Sequence, residues 1–365
     1  MNTLQKINKL EAISLIVMVT INQIIFNLPN HMINNIGSST WLNMIVVSII
    51  AILFCLLICK LFKGFQSQDI IDISEYLGNK ILKSIIGILY LIFFLFIAGI
   101  FLAYFTNCLR LVYFDRTPIV FLLLLFLIPI VCSTKLGIKP IASINLVITP
   151  VILVSMLMIF FITSKDFVPQ RIFPILGFGI NETFFKGLNN IFAFSSFSYL
   201  YFLLPILENP KDFKKIAITS TIISAIYLFL SVICLLMMFP FISFSDGMLS
   251  VYLLTRLIKL GRFFQRVDAI LIFIWILSLL SFLSITICLI NKILKKLVNL
   301  KSPNEMTYSI CFIVFSIALL FRNITNLKFV QNIVLKYVII SLVFVVSLAI
   351  LIFANIKQKR RNQNG

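Results

Sequence analysis

The sequence predicts an all-α integral membrane protein of ten transmembrane helices, arranged as two five-helix halves of opposite orientation. Three observations carry this. The 365-residue chain is 61% hydrophobic with a mean hydropathy of +1.11, and a soluble protein of this length would need far more polar surface. Its apolar runs are continuous and not alternating, which selects helices over a closed barrel. The first and sixth runs end alike, in F-N-L-P (26–29) and F-L-L-P (202–205).

The ten expected spans lie near 12–33, 41–62, 83–109, 118–134, 141–163, 188–207, 216–240, 267–291, 306–323 and 333–355. At 1.5 Å per residue most can cross about 30 Å of hydrocarbon, and the fourth is at the short end. Lysine and arginine orient them. With the N-terminus cytoplasmic, the inner side carries Lys6, Lys9, Lys60, Lys63, Lys80, Lys83, Lys135, Lys139, Lys211, Lys214, Lys215, Lys292, Lys295, Lys296, Lys301, Lys357, Lys359, Arg360 and Arg361. That is 19 of 31, against 12 outside, so both termini are expected in the cytoplasm, with 356–365 as a basic tail.

Three connections should be more than turns. Residues 65–80 are acidic and amphipathic, and predict a short inner interfacial helix. Residues 164–187 predict an outer loop rich in Pro and Gly. Residues 242–266 place apolar side chains opposite Arg256, Lys259 and Arg262, which predicts an outer helix in the membrane interface and not an eleventh span.

The net charge of +19 reads as span ends that snorkel and meet anionic lipid, not as a nucleic-acid surface. Cys55 and Cys59 share a helix face, but four residues apart on one helix is poor disulfide geometry. With a single histidine, His31, no metal site of His and Cys is expected, and no cofactor. His31 reads as an outer-interface residue. No G-x-S-x-G, P-loop or H-E-x-x-H occurs, so no enzyme is expected.

Polar clusters precede the two prolines: Thr20, Asn22 and Gln23 in the first run, and Ser195, Ser196, Ser198 and Tyr199 in the sixth. A proline removes an N–H and frees the carbonyl four residues earlier, here those of Ile25 and Tyr201. Freed groups in lipid must find partners. Paired interrupted helices at matching positions of inverted halves point to a central binding site, with repeats near 12–163 and 188–355. The same features also suit Pro-kinked helices glued together by Ser, Thr and Asn.

The motifs resemble a known family. T-I-N-Q-I-I-F-N-L-P (20–29), F-A-F-S-S-F-S-Y-L-Y-F-L-L-P (192–205) and Q-R-V-D-A-I-L-I-F-I-W-I (265–276) are similar to the B subunit of GerA-type spore germinant receptors, in the amino acid–polyamine–organocation superfamily. The resemblance implies a LeuT-like 5+5 inverted repeat with broken helices 1 and 6. It implies a germinant-sensing subunit in the spore inner membrane, working with receptor A and C subunits. It also implies a small nutrient ligand such as an amino acid. Relatives usually carry glycine in both breaks, whereas this chain has Asn22–Gln23 and Ser195–Ser196. Glycine lets a ligand approach bare backbone, so the extra amides could read a more polar or differently shaped ligand.

The candidate ligand-binding set is therefore Thr20, Asn22, Gln23, Ile25, Tyr104, Asn107, Ser195, Ser196, Phe197, Ser198 and Tyr199. Pro29, Pro205, Arg266 and Asp268 are candidate gate or helix-end residues. Arg266 and Asp268 read either as an interfacial pair or as a gate. Glu208 reads as the inner boundary of span six. Phe26 and Trp275 could wall a pocket. A secondary amino acid transporter would share this fold and pocket. Ser278, Ser281, Ser284 and Thr286 of span eight form no clear ion cage, which leans towards a sensor.

Overall fold

The computed structural model describes residues 6–26, 28–65, 67–240, 250–258, 267–298, 306–321, 327, 330 and 336–363. The described residues are helical throughout, apart from turns and one isolated bridge, Ile7 with Leu207. Among the described residues, seven helical stretches are long and apolar enough to cross a membrane. The others expected from sequence are the interrupted first and sixth segments and a shorter apolar helix.

Helix α1 (Lys9–Ile25) opens with a capping box. The Asn8 side chain accepts the Glu11 N–H, and Glu11 accepts the Asn8 N–H. It stops at Ile25 because Pro29 has no N–H to donate and its ring would collide with the preceding turn. Helix α2 (Leu28–Ile36) restarts with Pro29 in its first turn, where a missing N–H costs nothing. Helix α3 (Thr40–Phe62) returns across the membrane.

Helix α4 (Ile70–Val112) contains the expected inner segment and the third span in one element. Asp69 caps it, accepting the amides of Ile71 and Asp72. The helical path breaks at Gly78 and Asn79, where Asn79 takes φ 63°. The amphipathic turns therefore separate from the span. Helices α5 (Ile119–Leu136) and α6 (Ile138–Thr163) follow, hinged at Gly137 with φ 95°, a backbone glycine adopts freely.

The sixth segment departs from expectation. It begins earlier than 188 and is not one broken α-helix. A π-turn (Asn181–Phe185) leads into a 3₁₀ stretch (Lys186–Phe194), a single α-turn α7 (Phe197–Leu200) and a 3₁₀ turn at Leu204–Ile206. The cause is tertiary. Asn43 of α3 donates to the Thr183 carbonyl (2.8 Å) and accepts from the Asn190 amide (2.8 Å), so a buried side chain holds the irregular backbone. Serines add to this, as the Ser198 hydroxyl bonds the Ser195 carbonyl (2.7 Å).

The rest comprises α8 (Phe213–Met238), α9 (Ser250–Leu257), α10 (Val267–Val298), α11 (Thr307–Leu320), α12 (Lys336–Ile339), a π-turn (Ile340–Val346) and α13 (Ser347–Gln363). The expected interfacial helix at 242–266 is seen as α9, and its remainder lies outside the described residues. α9 packs on α1, α6, α8 and α10, with Tyr252, Leu254 and Thr255 buried. Its apolar side meets protein and not only membrane.

Candidate functional site

The breaks in the first and sixth segments lie against each other. The Gln23 amide donates to the Ser195 hydroxyl, and the Thr20 hydroxyl donates to that of Ser196 (3.1 Å). Beside these bonds is a cavity of about 40 Å³. Gln23, Ser195 and Tyr199 supply its polar groups. Four phenylalanines, 26, 101, 192 and 282, wall it together with aliphatic side chains such as Val19 and Ile97. The Phe26 and Phe101 ring centroids are 4.3 Å apart, and those of Phe101 and Phe282 are 4.8 Å apart. The Tyr199 hydroxyl is held by Thr286 of α10 (2.8 Å).

The other candidates sit elsewhere. Asn22 turns away from the sixth segment, donating to the carbonyls of Met18 (2.9 Å) and Ser278 in α10 (3.3 Å). The Ser198 hydroxyl donates to the Ser195 carbonyl within the sixth segment. Phe197 stacks on Phe54 at 6.0 Å. Tyr104 backs Phe26 at 5.0 Å, behind the wall. Asn107 donates to the carbonyls of Ala103 and Phe321. Ile25 is buried at the end of α1. Of the expected ligand set, Gln23, Ser195 and Tyr199 line the cavity, and Thr20 and Ser196 brace it.

Span eight spends its hydroxyls on protein partners. Ser278 bonds the Met18 sulfur (3.2 Å), Ser281 bonds Asn145 (2.5 Å) and Ser284 bonds the Leu280 carbonyl (2.7 Å). At its N-terminal end Asp268 accepts hydrogen bonds from Tyr113 (2.8 Å) and Tyr252 (3.3 Å), tying α10 to α4 and α9. Arg266 lies outside the described residues. Pro29 is buried in α2, and Pro205 is half-buried in the last 3₁₀ turn.

At the opposite end the first and sixth segments are joined again. The Ile7 amide donates to the Ile206 carbonyl (2.8 Å), and the Glu208 amide donates to the Ile7 carbonyl (3.0 Å). Lys139 reaches both Glu11 (2.8 Å) and Glu208 (3.3 Å), and Ser143 also donates to Glu11 (2.7 Å). The Tyr201 carbonyl, released by Pro205, accepts the Ile70 amide (3.2 Å). Lys296 of α10 pairs with Asp69 (2.5 Å) and Asp72 (2.6 Å). The first turns of α4 are thus bound to both the sixth segment and α10.

Sequence reasoning missed the walls contributed by α4 and α10. Ile97, Phe101 and Phe282 carry no local mark that separates them from the other phenylalanines and aliphatic residues. Glu11 was not singled out in the sequence, and its pairing with Lys139 depends on α6.

Comparison with known proteins agrees with this architecture. The chain aligns along 92% of its length with a Na⁺-coupled sialic acid symporter solved in a substrate-bound, outward-open state, covering 79% of that chain at a TM-score of 0.65 and 12% identity. That likeness establishes the fold, a LeuT-like helical bundle. Two Bacillus subtilis (strain 168) proteins are similar in sequence. Spore germination protein YndE is 21% identical over 67% of this chain and 68% of its own length. Spore germination protein B2 is 20% identical over 63% of this chain and 64% of its own length. The family model described as spore germination protein matches residues 6–327. With the interrupted first and sixth segments set face to face in a membrane-spanning bundle, the chain belongs to the spore germination protein family.

Proposed function

We propose that this chain is a nutrient-sensing membrane subunit of a spore germinant receptor. It binds a small ligand such as an amino acid at the junction of the two breaks and passes a conformational change to A and C partner subunits in the spore inner membrane. The observation that carries this is the pairing of Gln23 with Ser195 beside the cavity, because it puts hydrogen-bonding groups from both interrupted segments at one point in an otherwise apolar core. A ligand that takes over those groups would separate the two segments. Both termini are cytoplasmic in this reading, so a reporter fused after Gly365 is active only inside the cell.

Gln23→Leu tests the site. A lost ligand hydrogen bond costs about 0.5–1.5 kcal/mol, which raises the half-maximal nutrient concentration about two- to twelve-fold. Protein abundance should hold. A fall in abundance with an unchanged dose–response in the surviving protein would defeat the reading. The symporter-like fold supports a second reading, a secondary amino acid transporter. Solute uptake by the purified chain in sealed vesicles would favour it, and a nutrient response that requires the partner subunits without uptake would favour the sensor.

A further inference from the structure

We infer that the pocket where the ends of α3 and α13 meet the first turns of α4 binds the headgroup of an anionic phospholipid that carries hydroxyl groups, as phosphatidylglycerol does. This pocket is apart from the cavity between the breaks and does not depend on what that cavity binds. It measures about 330 Å³, and its lining includes Ser67, Gln68, Tyr76, Gln358 and Arg361. That is room enough for a small ligand.

The walls are fixed by the fold. Asn355 of α13 donates to the Leu61 carbonyl near the end of α3 (2.9 Å). Lys357 donates to the carbonyls of Tyr76 (2.8 Å) and Leu77 (3.1 Å), just before the break at Gly78, with its ammonium 5.2 Å from the centre of the Tyr76 ring. Lys357 is thereby spent on carbonyls that end a helical path, where a cation is favoured. Arg361 stands one turn further along α13, lines the pocket and has no ion pair among the described residues.

Two observations set the chemistry of the ligand. Among the described residues the one charged side chain in the lining is this guanidinium, whose planar fork suits a phosphate. The Gln68 Oε1 is buried and meets no donor among the described residues. A buried acceptor calls for a donor, and a phosphodiester alone brings none. A glycerol headgroup brings both: phosphate oxygens for Arg361 and hydroxyls for Gln68. Depth selects a lipid over a soluble phosphate ester. Phe62 and Arg361 are the last residues of two membrane-spanning stretches, so the pocket lies where hydrocarbon gives way to headgroups.

The test titrates the purified full chain with single lipids and reads the affinities by native mass spectrometry. Phosphatidylglycerol should bind about two- to twelve-fold tighter than phosphatidylmethanol, an anionic phosphodiester lipid without headgroup hydroxyls. Equal affinity for the two would sink the hydroxyl assignment. Arg361→Gln should weaken phosphatidylglycerol at least about tenfold, the scale of a lost hydrogen bond to a charged group. Lys359→Gln, on the exposed tail and outside the lining, should change it less than about twofold, the scale of a screened surface charge. Equal losses in the two variants would reduce the site to diffuse charge attraction and overturn the inference. Gln68→Leu should abolish the gap between the two lipids, and a gap retained in the folded variant would remove Gln68 from the site. Should Gln68→Leu not fold, the gap in the parent chain decides. sn-Glycero-3-phosphoglycerol, the same headgroup without acyl chains, should compete at least about tenfold more weakly than the lipid, because it buries no chain. Competition as strong as the lipid's would make this a site for a soluble phosphodiester and defeat the lipid assignment.

Discussion

The first and sixth segments meet at two levels, and the two contacts are built from different chemistry. At the Ile7 end, two backbone hydrogen bonds link Ile7 with Ile206 and Glu208, and Lys139 spans Glu11 and Glu208. At the breaks the contacts are neutral: amide to hydroxyl, and hydroxyl to hydroxyl. Depth explains the difference. Lys139 is 36% exposed, so its charge keeps contact with water while serving a nearly buried Glu11. A charge at the breaks would have no such outlet, and intramembrane charge is expensive. Under the proposed function the cavity contact opens for a ligand, and neutral hydrogen bonds lose less on parting than a buried ion pair would. The Lys139 contact is therefore ionic and reaches water, and the cavity contact is neutral and buried.

This contrast can be broken most forcefully at Asp69. Asp69→Ala removes the cap of α4 and one of the two carboxylates on Lys296. Loss of the cap alone costs about 0.5–2 kcal/mol, and the lost pairing adds to it. The thermal unfolding midpoint of the purified protein should fall more than for any single cavity variant. An unchanged midpoint would mean that the start of α4 is not held as described.

The next test sharpens the difference in kind. Lys139→Met removes the cation shared by Glu11 and Glu208. Salt screens exposed charges with a Debye length near 3 Å at 1 M. The stability gap between the parent and Lys139→Met should therefore narrow in 1 M salt. The gap between the parent and Gln23→Leu should stay constant. Thermal midpoints at low and high salt decide this, and a salt-sensitive Gln23→Leu gap would erase the distinction.

The smallest effect belongs to the second neutral contact. Thr20→Val alone leaves the buried Ser196 hydroxyl without its partner and costs about 1 kcal/mol. Replacing both groups, with Thr20→Val and Ser196→Ala, should recover most of that loss, because two apolar groups of similar shape leave nothing unsatisfied. A double variant less stable than Thr20→Val would show that these hydroxyls serve more than each other.

Much of the plan was legible in the residues. Pro29 marks the stop of α1 because a proline cannot donate to Ile25 wherever the chain goes next. The acidic amphipathic run at 65–80 marks the first turns of α4. These are local rules that act within one or two turns. The site was legible only in part. Four serine and threonine positions, three amides and several aromatics had equal claims, and nothing local separates Gln23, which reaches Ser195, from Asn22, which reaches Ser278. Adjacent residues on a helix point about 100° apart, so which one meets the sixth segment depends on how α1 is rotated in the bundle.

By itself, the sequence determined the solvent, the helical class, the two proline breaks and the likeness between them, because hydropathy and the missing proline N–H act without regard to partners. Only the tertiary structure decided the rest. It made the sixth segment a chain of 3₁₀ and π turns, because Asn43 of α3 supplies hydrogen bonds that a regular helix would have made internally. It gave the carbonyl freed by Pro205 to the amide of Ile70, from a helix more than a hundred residues away. It also chose Phe101 and Phe282 from among 38 phenylalanines to wall the cavity. A residue's type sets which contacts it can make, and the packing of distant helices sets which of them it does make.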